Sequence, residues 1–175
     1  MNTSKTPRYL ASAAVIAALY VVLTLAVLPL ASGAIQLRLS EALTILPVFV
    51  PAAIPGLTIG CLLANILGGC VFWDIVFGPI ATLIGAVATR LLRNRGLWAV
   101  VPPIVSNMVI IPLVLRYAYE LPESIPYLML TVGAGELLSA GVLGGILLRY
   151  IGKNKAAQRR MFAVPHHSRL YRQAV

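Results

Sequence analysis

Glu136 stands alone as a charge in the apolar run from Ile125 to Leu148, and Asn65 and Asn107 stand inside two other uncharged runs. Arg38 and Glu41 lie three positions apart in IQLRLSEALTILPVF (35–49), and Trp73 and Asp74 follow Phe72. These residue types suit two kinds of chemistry. Carboxylates accept hydrogen bonds, amides donate and accept, and a guanidinium donates, so together they can hold a polar solute rich in donors. Glu136 and Asp74 could instead serve as the acid/base pair of a small intramembrane enzyme. No nucleophile, phosphate clamp or metal set accompanies that pair, which weighs against the enzyme reading. No His, Cys and acid residues cluster at catalytic metal spacing, so neither a metal nor a cofactor is expected.

The surroundings of these residues decide what kind of protein must position them. The chain is 59% hydrophobic and only 11% charged over 175 residues, with mean hydropathy +0.90. A soluble domain normally carries about 25% charged residues. Uncharged runs of roughly 15 to 30 residues fit a bilayer core, which needs about 20 apolar residues per helix. A membrane barrel would alternate polar and apolar positions, which this chain does not do over any length. The expected fold class is therefore all-α, a polytopic membrane protein.

Tyr9–Leu30, Ile75–Thr89, Leu97–Leu115 and Tyr127–Tyr150 each read as one crossing. The uncharged stretch Ala42–Phe72 would be about 46 Å long as one helix, too much for a core of about 30 Å. Pro47, Pro51, Pro55 and Gly56 interrupt it, placing a turn near residues 51–56. Charge supports two crossings there. Lys5 and Arg8 precede the first run, Arg90, Arg93 and Arg95 share one loop, and Arg149 to Arg172 follow the last. Basic loops stay cytoplasmic, so an even number of crossings separates these clusters. Six transmembrane helices with both termini cytoplasmic satisfy the rule; five do not.

Of the 14 Lys and Arg, all but Arg38 and Arg116 then face the cytoplasm, and the acids fall on or toward the outer face. The pI of 10.2 is thus a sum over cytoplasmic loops and does not imply nucleic acid as a partner. Residues 1–152 form the expected membrane domain and 153–175 a basic cytoplasmic tail, solvated or bound to lipid headgroups. His166 and His167 in that tail read as a chance pair. The first run is too long for a cleaved signal core and reads as a retained anchor. Cys61 and Cys70, in one expected helix about 13 Å apart, read as packing residues, too distant for a disulfide.

Counted from the outer helix ends, Asn65, Asn107 and Glu136 lie about 10–14 Å deep, all in the outer half. The inner half offers hydroxyls such as Thr58 and Thr82, which can bond their own helix. An outward-opening pocket follows, though each residue has a plainer use. Arg38 can pair with Glu41; Glu41 can cap the second helix with Ser40, and Asp74 the fourth. Asn65 and Asn107 can join helices. Glu136 needs a donor, and no Lys or Arg lies at its depth.

Ala14-x-x-x-Ala18, Gly56-x-x-x-Gly60 and Gly141-x-x-x-Gly145 permit close helix approach, within the chain or to a partner. A purely structural assembly subunit would carry such stripes too. No Gly-x-x-x-x-Gly-Lys-Ser/Thr loop occurs, so the chain does not itself hold ATP in that way.

Three blocks, IQLRLSEALTILPVF (35–49), WDIVFGPIATLIGA (73–86) and GAGELLSAGVLGG (133–145), together resemble the QueT family over about residues 8–152. The resemblance implies a substrate-binding S component of an energy-coupling factor (ECF) transporter for queuosine precursors. It implies as partners a transmembrane coupling subunit and two ATPase subunits, with Ala14 and Ala18 (or Ala13 and Ala17) as the docking motif. It also implies a 7-deazaguanine ligand, whose N1–H and 2-amino group a carboxylate accepts bidentately. On that basis Glu136 is assigned to the guanine-like edge and Glu41 or Asp74 to a 7-aminomethyl ammonium. Arg38 then holds Glu41 or donates to O6, and Trp73 and Phe72 stack on the ring. An S component for another vitamin or purine-like solute is the alternative.

Overall fold

The structure, a computed structural model, describes residues 5–27 and 38–154. The expected end of the first helix at Leu30 and the tail with His166 and His167 lie outside the described residues. Among the described residues six helical elements follow one another: α1 (Lys5–Ala26), α2 (Leu39–Val48), α3 (Ala53–Leu67), α4 (Phe72–Leu91), α5 (Val101–Tyr117, entered through a 3-10 turn at Gly96–Val100) and α6 (Ile125–Lys153). The described residues contain no strand. Four of these helices are long and apolar enough to cross a membrane; α2 and α3 are shorter apolar helices. Large apolar side chains such as Leu10, Val22, Leu67, Leu91, Leu130 and Ile146 lie exposed. That surface would be costly in water and suits lipid.

The expectation of a short second helix holds, but its conformation is a ten-residue 3-10 helix. At about 2.0 Å of rise per residue it reaches about 20 Å, further than an α-helix of the same length. Proline explains the stop. Pro51 has no N–H to return to the Pro47 carbonyl, and the chain turns at residues 49–52, slightly before the expected 51–56. The guanidinium of Arg90 on α4 closes the gap, donating to the Pro47 and Val48 carbonyls at 3.0 Å each.

The helix ends differ modestly from the expected bounds. α3 stops at Leu67, so Cys70 lies in the turn before α4 and does not share a helix with Cys61. Gly68 and Gly69, with φ +70° at Gly69, make that turn.

Small residues bring α1 against α3. A Cβ on Gly60 would meet the Ala17 carbonyl at 3.0 Å and Tyr20 Cβ at 2.8 Å, and one on Gly56 the Ala13 carbonyl at 2.8 Å. Ala13 and Ala17 are buried in this seam, whereas Ala14 and Ala18 face outward. The two alanine registers therefore have different uses: the first packs the chain and the second is free at the surface.

Candidate functional site

The polar side chains converge at one end of the bundle, because each helix delivers its own from that end. Tyr20 and Thr24 come from the second half of α1, Ser40 and Glu41 from the start of α2, and Asn65 from the end of α3. Asp74 comes from the first turn of α4, Asn107 from α5 and Glu136 from the first half of α6. All eight are buried.

Glu41 is held by the Tyr20 hydroxyl, which donates to its Oε1. One turn further along α1, the Thr24 hydroxyl donates to the Tyr20 carbonyl at 2.8 Å and makes a hydrogen bond with the Ser40 hydroxyl at 2.7 Å. The expected cap is therefore not formed. Arg38, not Ser40 or Glu41, occupies the N-cap position of α2, and its side chain makes no cap bond.

Arg38 also differs from expectation. Its Nη2 lies 3.7 Å from Asp74 Oδ2, so its ion pair is with α4 and not with Glu41 three residues on. Its charge still acts on Glu41 and Glu136. Asp74 lies in the first turn of α4, where the helix dipole favours an acid, but it makes no side-chain cap bond. Its Oδ2 instead accepts from Tyr119, whose hydroxyl lies 3.1 Å away in the loop after α5. Burial first, then the Asp74 carboxylate, push that phenol above its ordinary range and keep it a donor.

The two asparagines take different roles. Asn65 donates to the Asp74 main-chain carbonyl at 2.9 Å, joining α3 to α4. Gly78 makes room for it: a Cβ there would lie 2.6 Å from Asn65 Nδ2. Asn107 donates to Glu136 Oε1 at 2.8 Å and is near enough to Glu41 to interact with it. It is thus the donor that Glu136 lacked in the sequence.

Each acid keeps one oxygen spare. Glu41 Oε2, Asp74 Oδ1 and Glu136 Oε2 are buried with no hydrogen-bond partner among the described residues. Leaving a buried polar atom unpaired costs about 1–3 kcal/mol, more for a charged group. Three acids facing one arginine form an acceptor-rich site suited to a cation or a ligand with several N–H groups.

Trp73 is not brought into this cluster. It is 53% exposed, stacks on Phe77 with ring centroids 5.9 Å apart, and lines an apolar groove with Ile80, Leu113 and Tyr117. Phe72 packs edge-on against it from the outside, at 5.6 Å. Tyr20, Thr24 and Tyr119 are the site residues that sequence reasoning missed. Thr58 and Thr82 bond the Ile54 and Gly78 carbonyls of their own helices, as expected.

An apolar helical bundle with four helices long enough to cross a bilayer and its buried polar groups gathered at one end is the architecture of a multi-pass membrane protein. The chain matches the QueT transporter family over residues 10–153 and belongs to that family. Searches of curated proteins and of solved structures gave no significant match.

Proposed function

We propose that this chain is the substrate-binding S component of an ECF transporter in a prokaryotic cell membrane, importing a 7-deazaguanine precursor of queuosine. Six crossings, with both termini cytoplasmic, complete the reading. The four long helices supply four of them, and α2 and α3 supply the two shorter ones. Arg90, Arg93, Arg95, Arg149 and Lys153 then lie on the cytoplasmic side, away from the acids. A coupling subunit and two ATPase subunits provide the energy, since the chain carries no phosphate-binding loop.

The observation that carries the substrate reading is the set of three buried carboxylates, each with an unpartnered oxygen, around one arginine. An anionic solute would be repelled there. A 7-aminomethyl-7-deazaguanine offers N1–H and 2-amino donors to Glu136, and an ammonium to Glu41 or Asp74. Arg38, Asn65 and Asn107 hold the acids in place and supply donors to the ring oxygen. The outward-facing Trp73 is left out of the contact set. Ala14 and Ala18 form the docking strip for the coupling subunit.

The test is mass spectrometry of small molecules retained by the chain when purified in mild detergent without partners. A bound 7-deazaguanine is the expected result. A different retained solute would reassign the substrate, and a chain that neither retains nor binds any purine-like base would overturn the reading.

A further inference from the structure

Ser139 is 1% exposed, and its Oγ has no hydrogen-bond partner among the described residues. That is unusual for this chain. The other buried helix hydroxyls all bond: Thr24, Thr44, Thr82 and Ser106 to carbonyls of their own helices, Thr89 to Ala99, and Ser40 to Thr24. A serine in an α-helix ordinarily returns its proton to a carbonyl one turn back.

The local backbone is also unusual. Residues Leu137–Leu143 of α6 form a π turn, with the Gly144 N–H reaching the Ser139 carbonyl five residues back. Burial records the insertion. The inward pairs along α6 are Gly135 and Glu136, Ser139 and Ala140, then Gly144 and Gly145, a step of four followed by a step of five. A regular helix would turn Leu143 inward and Gly145 out. With the extra residue, Gly144 meets α2, its absent Cβ lying 3.5 Å from the Ala42 carbonyl. Glu136 and Gly144 thus both face the start of α2, and Ser139 sits on the same face between them. Single π turns of this kind gather at functional sites.

We propose that Ser139 is a further substrate-contact residue that helps set specificity, presented by the π turn beside Glu136. This rests on the proposed function. On a guanine-like base the two donors read by Glu136 are flanked by acceptors, O6 beside N1–H and N3 beside the 2-amino group. A hydroxyl one turn along the helix from that carboxylate donates to one of the two. Ser139 thereby distinguishes a base with acceptors on both sides from a plain amine or guanidine, which carries donors alone.

The experiment compares wild type, Ser139→Ala and Glu136→Gln as purified chains. It uses calorimetric titration with 7-aminomethyl-7-deazaguanine and thermal unfolding without ligand. Ser139→Ala is expected to weaken binding about 2- to 12-fold, the value of one neutral hydrogen bond. The unliganded melting temperature should hold or rise, because the variant removes a buried hydroxyl that bonds nothing. A fall in stability together with affinity would mark a packing role and overturn the proposal. Unchanged affinity in Ser139→Ala with weakened binding in Glu136→Gln would overturn it alone and leave the site intact. Unchanged affinity in both would remove the site reading and this inference with it.

Discussion

The Tyr20 hydroxyl donates to Glu41 Oε1 between two helices, 21 positions apart in sequence, and one turn along α1 Thr24 holds Ser40. These two bonds fix the N-terminal end of α2 as Arg90 fixes its C-terminal end. A ten-residue 3-10 helix is long for its kind and persists here because both ends are tied by side chains from its neighbours.

Tyr20→Phe should therefore reach beyond one hydrogen bond. It leaves Glu41 with both oxygens short of a donor in a fully buried place. A hydrogen bond to a charged group contributes about 1.5–3 kcal/mol, and the thermal unfolding midpoint of the purified chain should fall accordingly. Substrate affinity should fall as well, since Glu41 is no longer oriented. A variant with wild-type stability would mean that the bond contributes little to holding α2.

The two alanine registers on α1 separate docking from folding. Ala14→Trp with Ala18→Trp places bulk on the exposed face and should block assembly with a coupling subunit, while substrate binding by the isolated chain stays near wild type. Ala17→Trp should instead prevent folding, because Ala17 packs against Gly60. Co-purification with the partner subunits reads the first effect, and gel filtration in detergent the second. Full assembly of the double tryptophan variant would move the docking face elsewhere.

Orientation is open to labelling in cells. A cysteine in the Arg93–Arg95 loop should resist an impermeant thiol reagent in intact cells, and one at Glu123 should react. Reversed labelling, which five crossings from a cytoplasmic N-terminus would give, or equal labelling would defeat the six-crossing count.

Much of this arrangement was legible in the sequence because a bilayer makes apolar length and charge placement highly informative. The helical segments, the shortness of α2 and the gathering of Glu41, Asp74, Asn107 and Glu136 follow from runs, prolines and depth. Partner choice was not legible. Proximity favoured Arg38 with Glu41, but Arg38 is extended (φ −111°, ψ 104°) where the helix has not yet begun, and its side chain crosses to Asp74. Trp73 and Asp74 looked like neighbours in one pocket, yet successive helix positions point about 100° apart, so burying the acid turned the indole outward. Tyr20 and Tyr119 gave no signal, since tyrosines are common near membrane interfaces for reasons unrelated to a site. The π turn of α6 has no mark in an apolar run whose faces cannot be told apart by hydropathy.

On the proposed function, buried acids read the donor edge of the substrate, and Glu136 bears most of that role. Glu136→Gln retains size and the possibility of a bond with Asn107, but it turns one acceptor into a donor that faces the ligand's own N–H. Calorimetric titration of 7-aminomethyl-7-deazaguanine into the isolated wild-type and variant chains measures this directly. A loss of roughly tenfold to several-hundredfold in affinity is expected, the cost of an unpaired buried donor and a lost charged acceptor. Equal affinity in the two chains would contradict it and leave Glu136 as a buried carboxylate whose partner is Asn107 alone.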